Sequence, residues 1–171
     1  MSRATETILV FAWLFLASAF ALPSEQVKTP PRETEKAGNA MSSHAKGEFD
    51  VKITPTQDKP PDPALGRLFV EKKYHGDVDG TSVGEMLTSG NGSKSGGYVL
   101  IERVTGTLNG KRGSFSLQHS GIMDNGVPTL NIIVVPGSGS DQLDGISGKF
   151  SLDIKGGKHF YDLEYSLHDA K

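Results

Sequence analysis

From Phe49 onward the apolar side chains fall on every second residue, and no other feature constrains the chain as much. A two-residue period turns one face of an extended segment toward a core and the other toward water. Phe49, Val51 and Ile53 alternate with polar neighbours before the proline-rich stretch Pro55–Pro63. Comparable segments run over Leu68–Tyr74, Thr81–Thr88, Tyr98–Leu108, Ser114–Met123, Thr129–Val135, Ile146–Ile154 and His159–Leu167. Turn signals separate them, the strongest being Asn109-Gly110, where both residues tolerate positive φ. No window of helical length shows 3.6-residue spacing. The expected fold is all-β, a single closed antiparallel eight-stranded barrel, because closure removes the edges that invite aggregation.

The first forty residues have a different character. Ile8–Ala21 is uncharged and too short for a spanning helix, which needs about 20 apolar residues. Arg3 precedes it and Ala19-Phe20-Ala21 supplies a small-x-small cleavage pattern, so residues 1–21 read as a secretory signal peptide. Residues 22–41, rich in proline and charge, read as a flexible linker, and 42–168 as the barrel domain. The location expected is secreted or periplasmic, with no stable membrane span after cleavage. The alternatives are an uncleaved membrane anchor and a cytoplasmic protein translated from Met41. Trp13, the single tryptophan, would leave with the signal.

Composition excludes several classes of function. With 18 basic and 20 acidic residues, the chain lacks the footprint of a nucleic-acid binder. Cysteine is absent, which removes thiolate metal sites, disulfides and cysteine nucleophiles. The five histidines show no metal-ligand spacing, so no metal site and no cofactor is expected. Gly90–Gly97 lacks the spacing of a phosphate-binding loop, and a strand follows it rather than a helix. Asp77–Gly80 and Asp141–Gly145 are explained as turns and do not carry enough oxygen ligands for calcium.

Strand parity gives the candidate site. Tyr98, Leu100, Glu102, Val104 and Leu108 share one face of the fourth strand. Phe115, Leu117, His119 and Met123 share one face of the fifth, against serines and Gln118. The same alternation sets Glu85 beside Val83 and Leu87, and Tyr161 and Tyr165 beside Leu163 and Leu167. The expected interior is apolar but contains Glu85, Glu102, His119 and several phenols. Counting outward from Asn109-Gly110, Glu102 and His119 stand at similar heights, which makes them the acid–base candidates. Glu85, Tyr98, Glu102, Leu117, His119, Tyr161 and Tyr165 are the expected ligand-binding set. The plainer alternative is a buried ion pair that fixes strand register.

The segment YVLIERVTGTLNGKRGSFSLQHSG at Tyr98–Gly121 resembles an uncharacterised bacterial family, domain-of-unknown-function family 3224. The segments at Met41–Pro55, Asp62–Arg67 and Val134–Phe150 fit the same pattern in the same order. The resemblance implies a barrel related in shape to allene oxide cyclase, often a homo-oligomer, and no established activity or site. Three functions follow as expectations: an exported barrel binding a small apolar ligand, a cyclase- or isomerase-type enzyme with an internal glutamate, or an interaction module with a filled interior. The second rests on fold analogy alone.

Overall fold

A computed structural model describes residues 42–58, 60–90 and 94–168, so the signal and linker readings of 1–21 and 22–41 lie outside the described residues. Among the described residues no helix forms. The strands are β1 (Ser43–Pro55), β2 (Leu65–Gly76), β3 (Val78–Gly90), β4 (Gly96–Leu108), β5 (Lys111–Asp124), β6 (Val127–Val134), β7 (Ser140–Asp141), β8 (Ile146–Lys155) and β9 (Lys158–Leu167). β1 to β5 form a meander, β5 pairs with β6, β6 with β8, β8 with β9, and β9 returns to β1. Every pairing is antiparallel, and eight strands close the barrel. The two-residue β7 lies against Gly113 and Ser114 of β5, continuing the line of β6.

Turn chemistry sets this register. Leu108 pairs with Lys111 and leaves Asn109 and Gly110 as the loop, with φ of 48° and 79°. Asp124 pairs with Val127 around Asn125 and Gly126, at 49° and 86°. Positive φ at both loop residues is the type I′ geometry whose twist matches paired strands. β1 starts at Ser43, earlier than the apolar alternation shows, because small residues carry its first inward positions. Ala45 is fully buried, and a Cβ on Gly47 would lie 2.0 Å from the His75 carbonyl oxygen and 2.7 Å from the Tyr161 hydroxyl.

The two ends of the barrel are packed differently. At the Asn109-Gly110 end, Ala45, Leu108, Leu143 and Leu163 are buried to 1% exposure or less. Leu143, from the segment after β7, closes that end and sits against Gly113. Asn109 Nδ2 donates to the His44 carbonyl and to the Tyr165 hydroxyl, tying turn to wall. At the opposite end burial is mixed: inward-facing Val70, Leu100 and Met123 are buried, whereas Val51, Leu68, Met86, Leu130, Leu152 and Ile154 are half-buried. Ile53, inward by parity, is 37% exposed.

Candidate functional site: a charged floor inside the barrel

Between these halves lies a group of buried polar side chains centred on Glu102 of β4. Its carboxylate is fully buried. Oε1 accepts from Lys72 Nζ at 2.7 Å, His119 Nε2 at 2.8 Å and the Tyr74 hydroxyl at 3.2 Å. Oε2 accepts from the Ser82 hydroxyl at 2.6 Å. Four neighbouring strands supply these groups, β2 through β5. Register brings them together: Gly84 lies opposite Glu102, Leu117 lies opposite it on the other side, and His119 is the diagonal neighbour. Lys72 lies 4.7 Å from the Phe49 ring centroid, so aromatic faces take up part of the cation's lost hydration.

Burial alone would raise the Glu102 pKa, but the Lys72 ammonium and the His119 hydrogen bond outweigh it and hold the group at about 2. Burial lowers the pKa of Lys72, with Glu102 acting against the shift. Burial also lowers that of His119, which the Glu102 hydrogen bond opposes and Lys72 reinforces. The consistent state at neutral pH is an ionised Glu102, a charged Lys72 and a neutral His119. An ionised carboxylate only accepts, so Nε2 carries the imidazole proton. With both oxygens engaged by four donors, the carboxylate is arranged to hold its neighbours still rather than to exchange protons.

The structure joins some of the expected site residues and separates others. Glu102 and His119 meet directly, and Leu117 is buried beside them. Tyr98 is half-buried on the open side of the floor, where burial, aided by the Glu102 charge, raises its phenol to about 12. Tyr161 and Tyr165 belong to the packed end. The Tyr161 hydroxyl accepts from Val78 N at 2.9 Å, and its ring reaches the floor only through Tyr74, centroids 5.6 Å apart.

Glu85 does not face the interior. It is exposed on the outer surface and accepts from Arg67 Nη2 at 2.6 Å. Apolar parity misassigned β3 because that strand is apolar outside: Val83 and Leu87 are 53% and 44% exposed. Its inward positions are Gly80, Ser82, Gly84 and Met86, kept small where β4 needs room. A Cβ on Gly84 would stand 2.7 Å from the Cβ of Glu102 and 2.4 Å from the Ile101 carbonyl oxygen.

Sequence reasoning missed Lys72, Tyr74, Ser82 and His159. Lys72 carried a usable signal, since it alternates in phase with Val70 and Tyr74. His159 stacks on Phe49 at 5.1 Å and faces the open half, and burial together with Lys72 lowers its pKa. Among the described residues no three His, Asp or Glu side chains converge as metal ligands would.

The fold and floor define a small antiparallel barrel with a buried charge pair between a fully packed half and a partly buried one. A family model described as "Protein of unknown function (DUF3224)" matches residues 45–165, and the chain belongs to that family. It is similar to a solved structure of a protein with unknown function from the DUF3224 family of Shewanella oneidensis MR-1. The two are 39% identical with a TM-score of 0.69, over 75% of this chain and 99% of that one. No curated protein matches the chain.

Proposed function

We propose that this protein is an exported barrel that binds one small apolar molecule in its open half, above the Glu102 floor. One observation carries the reading: inward-facing Val51, Leu68, Met86, Leu130, Leu152 and Ile154 stay half-buried although the barrel around them is closed. An apolar wall over a few convergent polar groups is the usual make-up of a small-molecule site. A separate open groove of about 260 Å³ lies on the outside, bordered by Lys149, Glu164 and serines.

Titration with Nile red, an uncharged apolar dye, tests the site. Leu130→Trp and Leu152→Trp fill the mouth and are expected to abolish the rise in dye emission, whereas Lys149→Ala in the outer groove leaves it intact. Dye binding that survives both tryptophan variants refutes the reading. For export, the mature chain is expected to begin at Leu22; an intact mass that retains Met1–Ala21 in native-host material counts against it.

The outer surface supports a second proposal, pairing of two copies. Val83, Leu87, Val99, Ile101 and Ile122 are 44–54% exposed on adjacent strands β3 to β5. Arg67 and Glu85 lie on the same surface, and a two-fold axis would let each copy offer its arginine to the other's glutamate. Light scattering behind size-exclusion chromatography is expected to show a dimer that Ile101→Lys converts to monomer. A monomeric parent chain defeats the proposal.

A further inference from the structure

Two polar groups on the open side of the floor make no hydrogen bond within the described protein. His119 uses only Nε2, against Glu102. No buried side-chain nitrogen or oxygen among the described residues lacks a partner, so the free Nδ1 is where this 3%-exposed residue still reaches open space. Since Nε2 holds the proton, Nδ1 is a bare acceptor. The Tyr98 hydroxyl is the second group. Its ring lies over Gly121, where a Cβ would stand 2.2 Å from Cε1. Gly121 is two residues beyond His119 on the same inward face, about 7 Å along the strand.

Resting on the ligand reading above, we infer that the molecule taken up is an aliphatic alcohol, its hydroxyl held between His119 and Tyr98. The ligand O–H donates to His119 Nδ1, and its oxygen accepts from the Tyr98 hydroxyl. A hydroxyl is the smallest group that satisfies both, and the chain behind it lies along Met86, Leu130 and Leu152. Charge selects against the corresponding acid. Lys72 is already paired with Glu102, so the floor is neutral overall. A carboxylate would enter beside Glu102 and find no unpaired lysine or arginine among the described inward-facing residues. It would also meet a lone pair, not a proton, at Nδ1.

Displacement of bound Nile red by 1-octanol, octanoate and n-octane at pH 7.5 tests this. Octanol is expected to displace at about threefold to tenfold lower concentration than either of the others, the range one neutral hydrogen bond supplies. Tyr98→Phe keeps the ring over Gly121 and is expected to close most of the gap between octanol and octane. His119→Phe is expected to close it too, and far-ultraviolet circular dichroism shows whether that variant is folded. If octanoate displaces as well as octanol, or if Tyr98→Phe leaves the gap unchanged, the inference is overturned while the apolar site stands. If the parent protein binds no dye, or binds it regardless of Leu130→Trp, the site itself has failed and the inference falls with it.

Discussion

The two ends of this barrel use the same strands and the same alternation, yet their inward side chains are not equally buried. At the Asn109-Gly110 end, a segment outside the eight-stranded wall folds back and places Leu143 in the opening. The turns at Val78 and at Asn109-Gly110 donate across it to the hydroxyls of Tyr161 and Tyr165. At the other end the inward side chains are of similar size, but among the described residues none plays the part of Leu143. An eight-stranded barrel is near the size at which its own side chains just fill it, so one plugging residue decides whether a half is core or cavity. The charged floor stands at the boundary and belongs energetically to the packed half.

The largest effects test that assignment. Glu102→Ala leaves the Lys72 ammonium buried without its anion and removes the acceptor from His119, Tyr74 and Ser82. The expected loss is about 3–5 kcal/mol in denaturant unfolding. Lys72→Met is expected to cost a similar amount by stranding the carboxylate, and the double variant Lys72→Met/Glu102→Leu much less than the two singles together. Strict additivity would mean that the pair is not coupled, and the floor would lose its role as boundary.

Acid exposes the same coupling without mutation. Glu102 is held at about 2 in the folded state against an ordinary 4.5, so between those values the unfolded chain binds a proton that the folded one does not. Stability is therefore complete above the higher value and falls as pH drops toward the lower, by about 3 kcal/mol in all. His119 is lowered as well, so a shallower decline starts near the ordinary histidine value and precedes the steep one. Melting temperatures from pH 8 to 2 in the parent and in His119→Phe check this: in the variant the shallow limb is expected to shrink to the part that His159 contributes, and the steep limb to shrink because Glu102 loses the His119 hydrogen bond. A parent that is equally stable at pH 3 and pH 7 contradicts the arrangement.

Packing contrasts the two ends directly. Leu163→Ala at the filled end is expected to cost about 2–5 kcal/mol, because it opens a cavity that the rigid wall cannot close. Leu152→Ala at the other end is expected to cost about 1 kcal/mol, since that side chain is only half-buried and loses less apolar burial. Equal losses would mean that the two halves are equally packed. The smallest effect expected is on the outer surface away from the patch proposed to pair, where Val127→Ser should change stability by no more than about 0.5 kcal/mol.

Part of the floor was legible in the chain because one turn fixed it. The two-residue loop Asn109-Gly110 leaves a single register for β4 and β5, so counting from it places Glu102 and His119 on the same inner surface within reach of each other. The same logic failed on β3, where parity was judged by which positions are apolar. There the larger apolar residues point outward, and the inward ones are glycine and serine because Glu102 needs the volume. Lys72 was hidden for a related reason. In Val70-Glu71-Lys72-Lys73-Tyr74 both faces are polar at the centre, and only the flanking Val70 and Tyr74 betray which lysine is inside.

The sequence by itself determined the strands, the type I′ turns and the alternation that makes a closed all-β wall. These depend on neighbours within a few residues, through backbone preference at glycine and asparagine and through the two-residue period of side-chain direction. Tertiary structure alone decided that three strands aim their polar groups at one carboxylate on a fourth, that Glu85 turns outward, and that Leu143 seals one end. Those outcomes are set by competition for volume and charge compensation inside the closed barrel, between residues far apart in the chain. No local pattern in the sequence carries that competition.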